Sequence, residues 1–370
     1  MQAMDRQVVI TGIGMVTPLG QDPSNVLDRI GAGDRALATP SFDAGGFACR
    51  HCASVDDFDI EPFFPENKTL RLMNRDAQMA VVAAHLAMQD AGIRPDETYP
   101  SDQIGLFGAT GVTSLPIEEA KRLVQLATDE RGQFDVSRFG RDTLKRTRPV
   151  LSFKILANMP ICFVSIFEGI RGPNAVYTPW ESQAAQAIIA GIEAIRRGEA
   201  SCVVVGGCDV KTRLMSFLAL EQLGIFETWK RNGHDFVPGE GAAFMVLEDE
   251  QSAKRRSARC YARIGGYQRY WIAPNDGEKP TCGSVPHDFS CTRETALIAG
   301  EEPDAAYSQD LDRHLILRPK THLGNLFAAA AAVQLGLGAS LFAREPGLNR
   351  VVARCCGFDS ELTTFLLEAL

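Results

Sequence analysis

The sequence predicts an α/β protein with largely parallel sheets, on three observations. Short apolar runs of strand length recur along the chain, most of them closed by glycine. Longer runs with helical spacing, rich in small residues, lie between them. The strand pattern also restarts near residue 258. Continuous apolar runs, as opposed to strict alternation, are expected of strands covered by helices on both faces.

In chain order, Val8–Ile10 reads as a buried strand, and Gly12-Ile-Gly14 as a glycine turn after it. Residues 70–92 form an alanine-rich helix that Gly92 stops. Ile104–Gly108 is a second short strand. A small-residue helix covers 183–197, followed by a strand at Cys202–Val205 closing on Gly206-Gly207. Phe244–Leu247 is one more strand, and Glu248–Arg256 a charged linker. Beyond it, Cys260-Tyr-Ala-Arg-Ile-Gly-Gly266 is a weak echo of the first strand. A loop-rich stretch (271–290), a helix-like run (326–337) and a final strand (350–354) complete the chain. The restart divides it into halves at 1–250 and 251–370, an internal duplication packed as one body.

Composition narrows the function. The 370 residues are 45% hydrophobic and 23% charged, enough for a sizeable core. A net charge of −8 argues against nucleic acid, whose phosphates need a basic face. Local basic clusters, at Arg141, Lys145, Arg146 and Arg148 and at Arg196-Arg197, read as solvated faces. No secretory signal and no membrane-length apolar run is visible, so a cytoplasmic protein is expected. The ten cysteines are scattered, which is no disulfide framework. Cys49-Arg-His-Cys52 has zinc-knuckle spacing without a second pair, so neither a metal nor a cofactor is expected.

Six segments, in order, resemble the β-ketoacyl-acyl-carrier-protein synthases. They are Val8–Gly20; Asn158-Met159 with Gly169-Ile-Arg-Gly-Pro-Asn174; Ala190–Gly198 with Gly206-Gly-Cys-Asp209; Phe236-Val-Pro-Gly-Glu-Gly-Ala242; Lys320-Thr-His-Leu-Gly-Asn325; and Cys356-Gly-Phe358. The resemblance implies a thiolase-like fold: duplicated βαβαβαββ halves packed as a five-layer αβαβα body. It also implies decarboxylative Claisen condensation, in which an elbow cysteine takes the acyl chain and two histidines stabilise the developing charge.

Each of those positions is altered. Counting forward from Gly172-Pro173 and backward from Gly198 puts Glu181 where the cysteine belongs, and a carboxylate cannot form the thioester. Asn325 stands at the second histidine, after a retained Lys320 and Gly324, while His322 sits three places early and reads as a packing residue. The first-histidine loop, expected between about 280 and 312, is not recognisable, and His287 and His314 lack its context. Phe358 keeps the gating position, but Asp359-Ser360 replaces paired glycines. Lys320 is the first candidate to pair with Glu181. By the same resemblance Gly111 and Val112 fall at the tunnel wall, and Pro149-Val150-Leu151 reaches toward a neighbouring subunit; ordinary interface core is an equal reading of both.

The reading that follows is a non-catalytic chain-length factor, heterodimerised with an active ketosynthase and shaping its tunnel in type II polyketide or aryl-polyene-like biosynthesis. Acyl carrier protein would be met mainly through the partner. Alternatives are a malonyl-carrier-protein decarboxylase using Glu181, and a non-catalytic homodimer that binds acyl chains or carrier protein.

Overall fold

The computed structural model describes residues 6–112, 115–147, 150–231, 236–271, 295–299, 315–357 and 361–370. Its strands are β1 (Val8–Val16), β2 (Ile104–Thr110), β3 (Asn174–Tyr177), β4 (Cys202–Val210) and β5 (Glu240–Asp249), then β6 (Ala262–Trp271), β7 (Thr295–Ile298), β8 (Ile316–Leu317), β9 (Arg350–Cys356) and β10 (Glu361–Glu368). The helices up to β4 are α1 (Pro23–Gly31), α2 (Arg75–Ala91), α3 (Ile117–Ala127), α4 (Val136–Arg138), α5 (Leu151–Ile155), α6 (Met159–Glu168) and α7 (Ser182–Arg196). They are followed by α8 (Leu214–Gln222), α9 (Ile225–Arg231), α10 (Glu250–Arg255), α11 (Pro319–Leu323) and α12 (Ala330–Leu341).

All ten strands join in the order β3-β2-β4-β5-β1-β6-β10-β9-β7-β8. The order is a mirror: β2 pairs parallel with β3 and β4, and β7 parallel with β8 and β9. Antiparallel ladders β4–β5–β1 and β9–β10–β6 follow on each side, and β1 meets β6 at the centre. The sheet is therefore mixed, not largely parallel. Burial on both faces comes from the helices and does not reveal strand direction, so an apolar run cannot distinguish the two.

α2 covers the outer face of the first half, packing Met79 and Ala83 on Val204, Phe244 and Val246. On the other face, α7 and α12 contact each other and both halves of the sheet, sharing one core that runs from Ile188 and Val205 through Leu335 to Val351 and Phe365. A helix apolar on all sides must be interior, and every residue of α12 is buried. Residues 272–294, between β6 and β7, lie outside the described residues. No helix among the described residues is long and apolar enough to cross a membrane.

Two boundaries differ from the expected ones for a visible reason. Gly12 and Gly14 lie inside β1 and make no turn; a Cβ there would come within 2.2 Å of the Ala87 carbonyl and 2.1 Å of the Ala83 carbonyl. These glycines let α2 sit directly on the strand. The 70–92 helix begins late, at Arg75, because the Asn74 side chain caps it, and it ends at Gly92 with φ 66°. The charged stretch after residue 247 is the end of β5 and then α10.

Candidate functional site

Parallel strands β3, β2 and β4 end side by side, with Ala109 opposite Tyr177 and Thr110 opposite Cys208. The chain leaving β3 reaches α7 through Thr178–Glu181, and Glu181 is the helix N-cap residue, 4% exposed. Its Oε1 accepts from Lys320 Nζ at 2.7 Å, and the same ammonium donates to the Cys356 carbonyl at 2.7 Å. Lys320 comes from α11, so this ion pair ties the elbow to the end of β9. Beside it Trp180 leans on the aromatic cluster of Phe217, Phe226, Phe236 and Phe327.

Asn325 follows Gly324, whose φ of 71° a side chain would strain. Its backbone joins two strand-like bonds, from its N–H to the Val237 carbonyl and from the Gly239 N–H to its carbonyl, both 2.8 Å. Its Oδ1 accepts from the Phe327 N–H at 2.9 Å, while buried Nδ2 has no hydrogen-bond partner among the described residues. An amide here donates but takes up no proton near neutrality. The described histidines are committed elsewhere or exposed: His85 bonds Glu168 at 3.0 Å, His322 Nδ1 bonds the Asp34 carbonyl at 2.7 Å, and His51 faces solvent. His287 and His314 lie outside the described residues, as does most of the 280–312 interval.

Two buried charge clusters at this edge go beyond what the sequence predicts. Asp209 and Lys211, at the end of β4, form an ion pair with side chains 3% and 5% exposed. Burial raises the Asp209 pKa despite that neighbour. Glu240 opens β5 and is a fully used acceptor: Oε1 takes Arg75 Nε (2.9 Å), Arg75 Nη2 (2.8 Å) and the Val55 N–H (2.9 Å), and Oε2 takes Thr212 Oγ1 at 2.7 Å. The usable signal is an Asp near the end of a strand and a Lys two places on, just past it, a spacing that extended backbone turns to one face.

The remaining expected positions separate. Gly111 and Val112 follow β2; Gly111 lies against Asp209, and Val112 is exposed. Val150 is exposed and Leu151 half-buried at the start of α5, remote in sequence from the elbow. Phe358, Asp359 and Ser360 lie outside the described residues, as does Pro149. Arg141, Lys145 and Arg146 lie exposed on the turns after α4, with Arg141 paired to Asp142; Arg148 is outside the described residues. In Cys49-Arg-His-Cys52, burial pushes the Cys52 thiol up to about 11, and Cys49 Sγ donates to the Phe236 carbonyl at 3.1 Å, which disfavours thiolate ligands.

Residues 5–253 match the family described as Beta-ketoacyl synthase, N-terminal domain. The 3-oxoacyl-[acyl-carrier-protein] synthase 2 of Synechocystis sp. is 27% identical over 274 residues, 71% of this chain and 62% of that protein, so the match spans under two thirds of that relative. The tetracenomycin polyketide synthase ketoacyl synthase beta subunit of Streptomyces glaucescens is 26% identical over 360 residues, 89% of this chain and 83% of that one. In structure, the ishigamide ketosynthase/chain length factor superposes with a TM-score of 0.75 at 20% identity, covering 99% of this chain and 100% of the other. The fold is thiolase-like.

Proposed function

The chain belongs to the β-ketoacyl synthase family, and from that premise we propose that it is a non-catalytic, chain-length-factor-type subunit. It pairs with an active ketosynthase and shapes the acyl or polyene tunnel of that partner. One observation carries this reading. The elbow position holds a buried carboxylate locked 2.7 Å from Lys320, where acyl transfer needs a free thiolate. Neither Glu181 nor Asn325 can do the work of a cysteine and an imidazole.

The surface supports a partner. Exposed large apolar side chains concentrate between residues 112 and 166, among them Val112, Phe134, Val136, Phe153, Leu156 and Ile166, the last 65% exposed. Such apolar exposure, gathered into one surface, is what a partner subunit would cover. β3, the edge strand of the sheet, is only partly buried and leaves an edge open to covering. The relative from Streptomyces glaucescens is itself a ketoacyl synthase beta subunit. Acyl carrier protein would be engaged mainly by the partner, with the turn carrying Arg141, Lys145 and Arg146 as the basic surface on this side.

Co-expression with a ketosynthase encoded beside it, followed by size-exclusion chromatography with mass detection, tests the proposal. A one-to-one complex containing this 40.3 kDa chain, absent when either chain is made alone, is the expected result. A stable homodimer that ignores the ketosynthase would overturn it. Malonyl decarboxylation through Glu181 is disfavoured by the ion pair, since the carboxylate is already engaged by the Lys320 ammonium at 2.7 Å.

A further inference from the structure

We propose that the cavity enclosed by the starts of α2, α3 and α8 and by α5 is an anion socket that receives an acidic side chain of the partner ketosynthase. The inference rests on the partner-subunit reading above and adds to it which chemical group of the partner this face recognises.

The cavity measures about 360 Å³, and its wall carries three cations, Arg75, Lys154 and Arg213, against one acid, Asp76. Asp76 is buried, and its Oδ1 accepts from the Ala77 N–H at 2.9 Å, within the first turn of α2. Arg75 is engaged behind the wall, where its guanidinium donates to Glu240 and to the Val55 carbonyl. Lys154 and Arg213 are not engaged in that way: among the described residues, no carboxylate pairs with either. Even with Glu240 set against Arg75 and Asp76 counted in full, the wall keeps a net positive charge. The backbone holds Lys154 in place, since its carbonyl accepts from Asn74 Nδ2 at 2.9 Å.

The helix ends carry the same sign. The N-cap residues of α2, α3 and α8 are Asn74, Pro116 and Arg213, and all three line the cavity. Pro116 and Arg213 make no side-chain cap bond, so the first-turn N–H groups of α3 and α8 add to the positive field. The acids in the first turn of α3, Glu118 and Glu119, pair with Lys121 and Arg122 on their own helix.

The position of Lys154 identifies the occupant. It lies on α5 between Phe153 and Ile155, with Leu156 following, and these three apolar side chains are exposed. They belong to the surface assigned above to the partner. A subunit docking there would cover the cavity and take water from Lys154 and Arg213, and buried cations without a counter-charge are costly. The compensating group must therefore arrive with the docking surface, and the anion that a protein surface offers is an Asp or Glu carboxylate.

The first test uses the wild-type assembly. Carbodiimide joins an ammonium to a carboxylate in contact with it, and peptide mass spectrometry of the coupled complex should recover Lys154 joined to an Asp or Glu of the ketosynthase. The second test is Lys154→Met with Arg213→Met, which strands no acid in this subunit. Its affinity for the ketosynthase should fall at least about tenfold, with a shallower dependence on salt than in the wild type. Should the double variant fail to fold, Arg213→Met alone, at an exposed position, should show the same direction of change, and the wild-type coupling stands without either variant. Lys154 joined to a second copy of this chain, Lys154 joined to no partner carboxylate, or a folded double variant of undiminished affinity overturns the socket. If the wild type forms no complex with the ketosynthase, the partner-subunit reading fails and the socket's occupant with it; if the complex forms and Lys154 meets no acid there, the socket alone fails.

Discussion

Replacing Glu181 by alanine would leave the Lys320 ammonium inside the protein with one acceptor fewer. The pair is 2.7 Å long, and its side chains are 14% and 3% exposed. Removing one member of a buried pair costs about 3–5 kcal/mol, mostly from the charge left behind. Lys320 keeps the Cys356 carbonyl and is the more exposed partner, so the low end, ~3 kcal/mol, is expected. For a chain of 370 residues the unfolding entropy is roughly 0.8 kcal/mol/K, so Tm should fall about 4 °C. Changing both partners, Glu181→Gln with Lys320→Met, leaves no stranded charge and should stay within about 1 kcal/mol of wild type. Glu181→Gln and Lys320→Met alone should each cost more than the two together, so this cycle should show a coupling of at least about 2 kcal/mol. Urea unfolding supplies these numbers, and carbon dioxide release from malonyl carrier protein is read on the same samples. A Glu181→Ala protein as stable as wild type would refute the structural role. So would a Glu181→Gln protein whose decarboxylation changes tenfold while its stability does not.

Three further outcomes are expected. Phe153→Asp combined with Ile166→Glu alters side chains 41% and 65% exposed, so the subunit's own stability should move by no more than about 1 kcal/mol, while affinity for the ketosynthase falls at least about 30-fold on native mass spectrometry titration. Gly14→Ala drives a Cβ to 2.1 Å from the Ala83 carbonyl and should cost about 3 kcal/mol or more, whereas Gly46→Ala, with nothing within 4 Å, serves as the neutral control. His85 has its pKa raised above 6.5 by its hydrogen bond to Glu168; a raised pKa means the folded state holds the proton more tightly. Its contribution is therefore full below 6.5 and disappears as pH rises through the folded value. Urea midpoints of wild type and His85→Gln should differ most in acid and converge in alkali.

The strands and helices that lie in continuous apolar runs, such as β4, β5, α7 and α12, are legible because both their faces are buried. β10 is not, because polar residues sit at buried positions: Glu361 is 1% exposed and accepts from Arg269 at 2.9 Å and Gln186 at 2.7 Å. β3 escapes notice because it is only four residues long and at most partly covered. Gly12 and Gly14 mislead because a glycine needed for close approach and one needed for a turn look alike in sequence. At the site, motif register alone could put residues 181 and 320 near each other, since 139 positions separate them. The Glu240 cluster stays hidden for the same reason: its donors come from Val55, Arg75 and Thr212, and only the fold collects them.

That cluster also separates two uses of buried charge. Glu240 has a hydrogen bond on every side that matters and ties α2, β5 and the chain at Val55 together, as expected of a carboxylate kept for architecture. At the Asp209–Lys211 pair, burial raises the pKa of the acid despite the ammonium beside it. Such a pair is a poor way to gain stability, since apolar residues of equal volume would serve as well or better. On that argument, replacing Asp209 by Leu together with Lys211 by Met should stabilise the subunit by about 1–3 kcal/mol, read by urea unfolding. A double variant less stable than wild type would mean that the pair contributes more than its desolvation costs.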